Sequence, residues 1–398
     1  MTQRLYYDNA YLTEFDATVL ACKPNGENFD VLLDRSAFYP TSGGQPFDTG
    51  VLGNANVIDV NVTDGEVWHT VTAPLEVGAV MHGSIDWARR FDHMQQHAGD
   101  HMIAGALHRL MGGVTIGLHV GDEISTIDVT MPEGATRISD AEIRMIERDV
   151  NDHIQRNVPI RCWFPSEEEL ETLPLRKKPT VSEHVRIVAI GDDEMVACGG
   201  THPASAGQIG LVKIVSVAPA RGKMRGAFLA GQRALNDYFK CHEAAHAAAG
   251  MFSTGVENLC VSVSSMQEKL HAAELELVKL RRDQLLSLAQ SFIDGAEILP
   301  DGTELVAQFV EADAMMLRDL TSKLIEQLGV IALLGAKNGE QAIYVFGRSS
   351  DVDVNMGTLM RDSARPLGGK GGGKPDFAQG GGCTGILEAA CRLLEGEK

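Results

Sequence analysis

Four side chains in this 398-residue chain have the types and spacings of metal ligands. His97 and His101 stand four residues apart in His97-Ala98-Gly99-Asp100-His101. On a helix, two imidazoles so spaced share a face and can grip one ion. About a hundred residues later, Cys198-Gly199-Gly200-Thr201-His202 offers a second pair at the same spacing. Cysteine and histidine are favoured zinc donors, and the two glycines let a loop turn both side chains toward one point. These four are expected to meet around one zinc. Four protein donors usually make a closed structural site, whereas catalytic zinc keeps a position for water or substrate, so both uses stay open. Asp100 is a candidate base that would orient a water; a plain helix-surface carboxylate is the equal alternative. His93, His108 and His119 read as surface or satisfied core groups. The order of His97, Asp100 and His101 also approaches the H-x-x-E-H pattern of one metallopeptidase class. Aspartate shortens that base by one methylene, and the cysteine pair lies outside the pattern.

The elements that must position these groups follow from local patterning. Residues 1–90 read as β-rich: Ala17–Ala21, Phe29–Leu33, Val57–Val62 and Glu66–Val71 are short apolar segments divided by turns at Pro24-Asn25-Gly26 and Thr63-Asp64-Gly65. A small β-barrel is the expected arrangement. Between these strands Phe38-Tyr39-Pro40-Thr41-Ser42-Gly43-Gly44-Gln45 pairs two glycines with the polar side chains of Thr41, Ser42 and Gln45. By its chemistry alone it is a hairpin loop. From Arg89 the pattern becomes helical and carries the two histidines. Ser139 opens a second helix, with Ile143, Ile146, Val150 and Ile154 on one stripe. Val185–Ile190 and Leu211–Val217 read as strands around the Cys198 loop, so residues 91–250 form a central α+β domain. Residues 251–295 place Met266, Leu270, Leu277 and Leu280 on one seam, which suits an antiparallel helical hairpin or a short dimer coil equally. Residues 296–398 read as a C-terminal α/β domain with a glycine-rich loop at Gly368–Lys374 and a last helix at Thr384–Leu394. The fold class is α+β.

Composition bounds the function. Apolar residues make up 44% and charged residues 22%, which is ordinary for a soluble globular chain. No run is long and apolar enough for a membrane span, and the N-terminus lacks a signal-peptide pattern, so a cytoplasmic location is expected. Seven cysteines, an odd number, do not make a disulfide framework and leave Cys198 available as a thiolate. A net charge of −19 argues against nucleic-acid binding by the whole surface. It leaves room for a local patch, because Arg361, Arg365, Lys370 and Lys374 face only Asp362 and Asp376 between residues 361 and 378.

Taken together, the Phe38-to-Gln45 block, the His97/His101 helix, the Cys198–His202 loop and the C-terminal glycine-lysine run with Asp376 and Ala378-Gln379-Gly380-Gly381-Gly382 resemble the alanyl-tRNA editing family. Its members are free-standing relatives of the editing domain of alanyl-tRNA synthetase, and the long form also has a DHH-associated domain. The blocks come in family order over nearly the whole chain. The resemblance implies a zinc-dependent trans-editing hydrolase that cuts the ester joining serine, in some members glycine, to the tRNA for alanine. It also implies that His97, His101, Cys198 and His202 ligate the zinc, and that Thr41 and Gln45 face the aminoacyl pocket. Lys370, Gly371, Gly372, Gly373 and Lys374 would receive RNA phosphates, and a homodimer would form through the hairpin or the C-terminal domain. Asp100 stands where relatives often have another residue. A zinc peptidase or amidase, and a non-catalytic RNA-binding protein with structural zinc, are the rival readings.

Overall fold

The computed structural model describes residues 1–179 and 184–396. They divide into two compact units, residues 1–248 and 249–398, each with its own apolar cores. The expected β-rich segment and the expected central domain therefore lie within one unit.

In the first unit, six strands hydrogen-bond in a ring. They are β1 (Glu14–Asn25), β2 (Asn28–Leu33), β3 (Gly50–Leu52), β4 (Ala55–Thr63), β5 (Glu66–Val71) and β6 (Val80–Ile85). Their order is β1-β2-β5-β4-β3-β6, and β1 closes on β6 with Glu14 opposite Ser84. Side chains alternating along the strands, among them Val19, Val31, Leu33, Val57, Val67 and Val71, fill the interior.

Asp86 then caps α1 (Trp87–Met111) by accepting from the Arg89 N–H at 3.1 Å, and Gly112 ends it in the left-handed conformation. An amphipathic helix would show one buried stripe, but α1 is buried on nearly every side from His93 to Leu107. One flank meets the sheet order β12-β13-β8-β7, built from β7 (Val114–Val120), β8 (Ser125–Thr130), β12 (Val212–Ala220) and β13 (Lys223–Ala230). Another meets α2 (Asp140–Gln155), whose Ser139 and Glu142 form a capping box and whose Ile146, Val150 and Ile154 are buried as the stripe requires. A third sheet, β9 (Ile160–Trp163), β10 (Ile187–Ile190) and β11 (Glu194–Ala197), leads into the Cys198 loop.

The barrel is tied to α1 by a fully buried ion pair. Arg90 Nε donates to Asp48 at 2.9 Å, and its remaining nitrogens donate to the carbonyls of Ala10 and Ala37. Asp48 also accepts from the Tyr39 N–H at 2.6 Å. Every hydrogen-bonding group of the pair is used, as a buried charge requires. The pair sets the Tyr39-to-Gln45 loop in place over the histidine helix. The helix α3 (Gly231–Met251) follows β13.

In the second unit α4 (Leu259–Ser287) is one uninterrupted helix. Met266, Leu270, Leu277 and Leu280, the expected seam, are about half exposed on it. The sheet that follows has the order β14-β15-β16-β17-β19-β18. Its strands are β14 (Glu297–Ile298), β15 (Glu304–Phe309), β16 (Val330–Asn338), β17 (Gln341–Arg348), β18 (Lys370–Gly373) and β19 (Phe377–Cys383). Only β15 and β16 pair in parallel, across α5 (Ala314–Leu324). Two further helices of this unit are α6 (Met356–Ala364) and α7 (Ile386–Leu394).

The glycine-rich run corrects an expectation. Lys370 to Gly373 is an edge strand, not a loop, with Lys370 opposite Gly381 and Gly373 opposite Ala378. Its glycines are required by packing: a Cβ on Gly371 would lie 2.6 Å from Met360 Cγ of α6, and one on Gly380 would lie 2.4 Å from Met360 Sδ. The Lys374 N–H is spent on Phe377 O, and the carbonyls of Lys374 and Pro375 accept from the first N–H groups of α6. Lys370 and Lys374 remain exposed.

Candidate metal centre

The four expected donors converge. Their ligand atoms all lie within 4.8 Å of one another. Cys198 Sγ is 3.3 Å from His97 Nε2 and 3.4 Å from His202 Nε2. Roughly 3.4 Å is the separation of two donors on a tetrahedral zinc with bonds of about 2.0–2.3 Å. The rings of His97 and His101 stack at 4.9 Å between centroids, and His202 lies 4.6 and 5.0 Å from them. Both nitrogens of His101 and Nδ1 of His202 are buried with no hydrogen-bond partner. Buried polar atoms are normally satisfied, so a buried His101 with neither nitrogen partnered, beside three other donors, fits a cation.

Burial sets the protonation of the metal-free site. It pulls His97 down to about 3 and lowers His101 and His202 well below the ordinary imidazole value, so all three are neutral ligands at neutral pH. Burial also pushes the Cys198 thiol up to about 12, against the Gly200 N–H, which donates to its sulfur at 3.3 Å and favours the thiolate. Metal binding at this site must therefore release a proton from Cys198.

The surrounding residues decide how the donors point. Gln45, fully buried, accepts at Oε1 from the Thr201 N–H at 3.1 Å and from His97 Nδ1 at 2.8 Å, and its Nε2 donates to Thr201 Oγ1 at 2.8 Å. A carboxamide oxygen only accepts, so His97 carries its proton on Nδ1 and turns the Nε2 lone pair toward Cys198. Gln45 reaches this position through a tight turn. Ser42 and Gln45 exchange both backbone hydrogen bonds, at 2.9 and 3.1 Å, with Gly43 and Gly44 at φ of 58° and 85°. Gly200 has no room for a side chain, because a Cβ there would lie 2.2 Å from His97 Cε1. Arg186, 6% exposed, holds the loop's shape by donating Nη1 to the carbonyls of Cys198 at 3.1 Å and Gly200 at 2.8 Å.

The remaining expected site residues fall in different places. Thr41 is exposed at the mouth of the turn, its N–H bonded to Val60 O at 3.0 Å. Gln45 supports a ligand from behind and is not on an open surface. Asp100 is 4% exposed, with Oδ1 unpartnered, so the surface-carboxylate alternative is overturned. Burial raises its carboxyl to about 8, with Arg176 opposing and Glu194 pushing the same way as burial. Lys370 to Lys374 belong to the second unit. Sequence reasoning assigned no role to Thr201, Arg186, Asp48 or Arg90. A charge inside the apolar run Val185-Arg186-Ile187-Val188 was the one visible signal among them.

Comparison with known proteins gives three consecutive matches. Residues 5–89 match the family described as tRNA synthetases class II (A), and residues 185–227 match the threonyl and alanyl tRNA synthetase second additional domain. Residues 302–397 match the DHHA1 domain. The alanine–tRNA ligase of Halorubrum lacusprofundi is 31% identical over 393 residues, covering 96% of this chain and 42% of that protein. That of Pyrococcus furiosus is 32% identical over 397 residues, covering 95% and 42%. Among solved structures, the C-Ala domain from Aquifex aeolicus alanyl-tRNA synthetase aligns with 25% of this chain and 94% of that domain, at 25% identity and a TM-score of 0.23. The chain thus spans less than half the length of these curated ligases. With Cys198 and His202 inside the second additional domain match, this chain is an alanyl-tRNA synthetase-related protein that combines a class II fragment, an editing-type domain and a DHHA1 domain.

Proposed function

We propose that this chain hydrolyses the ester of mischarged tRNA for alanine, with seryl-tRNA the chief substrate and glycyl-tRNA a second one. The observation that carries the reading is the convergence of His97 and His101 with Cys198 and His202, the last two inside the match to the threonyl and alanyl tRNA synthetase second additional domain. Zinc is the metal that suits a donor set of three imidazoles and one thiolate. Bound there, it would polarise the ester carbonyl and favour ionisation of a water.

The chain's own residues would supply binding and orientation. Gln45 and Thr201 hold the His97 tautomer, and Gly200 lets the Cys198 loop approach. Thr41, exposed beside that turn, would meet the serine hydroxyl. A synthetase site shaped for alanine discriminates weakly against serine, whereas a pocket that needs the hydroxyl loses roughly 1–3 kcal/mol when alanine leaves a polar group unpaired. Exposed Lys370 and Lys374 would bind phosphates as point charges on side chains. Self-association through the exposed seam of α4 belongs to the same proposal.

A second reading, RNA binding with a purely structural zinc, is favoured by one observation: all four donors are near enough to close a tetrahedron. One assay separates the two. Purified protein is mixed with seryl-tRNA and alanyl-tRNA for alanine, with and without chelator, and its metal content is measured. The hydrolase reading expects seryl-tRNA to decay much faster than the blank, and a Thr41→Val variant to lose the preference for serine. Decay no faster than the blank, with one zinc bound, selects the structural reading.

A further inference from the structure

Outside the four-donor site, the chain carries another pair of histidines at helical spacing, in Cys241-His242-Glu243-Ala244-Ala245-His246. The segment lies within α3, so His242 and His246 stand about one turn apart on the same face. Their ring centroids are 4.3 Å apart, closer than the 4.9 Å between His97 and His101, which do converge with two further donors. Both residues are exposed, and Ala244, Ala245 and Ala247 put only small side chains around them. The Tyr238 ring, one turn earlier, stacks on His242 at 5.5 Å between centroids and 29° between planes, which restrains that imidazole. Glu243 is exposed and precedes His246 by three residues, so its carboxylate shares the flank of the pair.

We propose that His242 and His246 form a second metal site, which takes a divalent late transition ion: nickel, copper or zinc. Two imidazoles one turn apart give such an ion a chelate, and imidazole nitrogen suits these three metals. The order H-E-x-x-H is also that of a class of zinc peptidases, in which the two histidines bind the metal and the glutamate is the general base. A catalytic zinc of that kind takes a third protein ligand. Among the described residues, the group of three or more donors close enough to share one ion is His97, His101, Cys198 and His202, to which neither helix histidine belongs. The remaining positions on an ion held by α3 therefore fall to water, on an exposed helix face. The geometry points to metal binding and not to peptide cleavage. It stands independently of the hydrolase reading.

The test measures binding and not turnover. The full untagged chain, first loaded with zinc, is titrated with nickel(II) by calorimetry, and its zinc content is measured before and after. One nickel ion should bind per chain while the zinc content stays constant. His242→Ala and His246→Ala should each weaken nickel binding on the order of a hundredfold, since loss of a group that merely orients a ligand already costs 10–100-fold. Because both side chains are exposed, these variants should keep the wild-type melting temperature when nickel is absent. Moving the second histidine tests the geometry at a constant histidine count. His246→Ala combined with Ala245→His leaves a same-face spacing of three and should recover binding. His246→Ala combined with Ala247→His leaves a spacing of five, off the shared face, and should not. Nickel uptake only by displacement of zinc, unchanged affinity in either single variant, or full binding by the spacing-of-five variant would overturn the assignment.

Discussion

Gln45 contributes nothing to an exposed surface, yet its carboxamide touches His97 and Thr201 and so joins the turn of one segment to the ligands of two others. Groups that orient metal-bound imidazoles typically affect affinity by 10–100-fold. Gln45→Ala should weaken zinc binding on that scale in a competition titration, while Gln45→Glu, which keeps the acceptor, should lose less. His69 makes a second prediction at this scale. It is buried inside the barrel, with Nδ1 donating to Val31 O at 3.2 Å and the Ser36 hydroxyl donating to Nε2 at 2.7 Å. Burial lowers it to about 4, so the folded chain stays unprotonated there while the unfolded chain takes up a proton near the ordinary value of 6.5. It adds nothing to pH dependence above about 6.5. Stability should fall as pH drops from about 6.5 toward 4, by about 1 kcal/mol per pH unit for this group. Urea unfolding of metal-free protein across that range should show a shallower decline in His69→Gln than in wild type.

At the scale of elements, two short connections hold the site. One is the Ser42–Gln45 turn, which presses on β7: the Val120 N–H donates to Gly44 O at 2.9 Å. A Cβ on Gly44 would lie 2.2 Å from Leu118 O, at a φ that side chains rarely adopt. Gly44→Ala should destabilise the first unit by roughly 1–3 kcal/mol. It should also weaken zinc binding through the displaced Gln45, whereas Gly26→Ala, at a turn with open space around it, should leave metal affinity unchanged. Thermal melts and metal titration of the two variants compare these directly. The other connection is the Cys198–His202 loop, held by Arg186 from the neighbouring β10 end. The strands flanking both connections follow from apolar alternation. The clamps do not, because Arg186 and Gln45 act across separations of 12 to 156 residues.

Across the whole molecule, the metal donors all belong to the first unit and the exposed glycine-run lysines to the second. A metal held by these four donors would be part of the first unit's folding energy. Chelation should lower the melting temperature of that unit, and Cys198→Ala should remove most of the difference between zinc-loaded and chelated samples in calorimetry. A ligand present at about a thousand times its dissociation constant adds roughly 4 kcal/mol, so the shift is readily measured. No helix of the described residues is long and apolar enough to cross a membrane.

The sequence by itself determined the donor set. His97 with His101 and Cys198 with His202 are legible because ligand chemistry is local and the spacing of four puts each pair on one side of its backbone. Strands such as Phe29–Leu33, the capping box at Ser139 and the α+β class were legible for the same reason: each is a periodicity or a cap read over a few residues. Tertiary structure alone decided what lies behind the donors. Asp100 became a buried carboxyl because α1 is enclosed on several sides, and one helical stripe cannot reveal how many partners a helix has. Gln45 became a support for His97, Asp48 and Arg90 became the tie between barrel and helix, and the lysine-bracketed glycines became an edge strand shaped by Met360. Each depends on contacts between segments far apart in the chain, and sidedness and burial arise only when those segments pack.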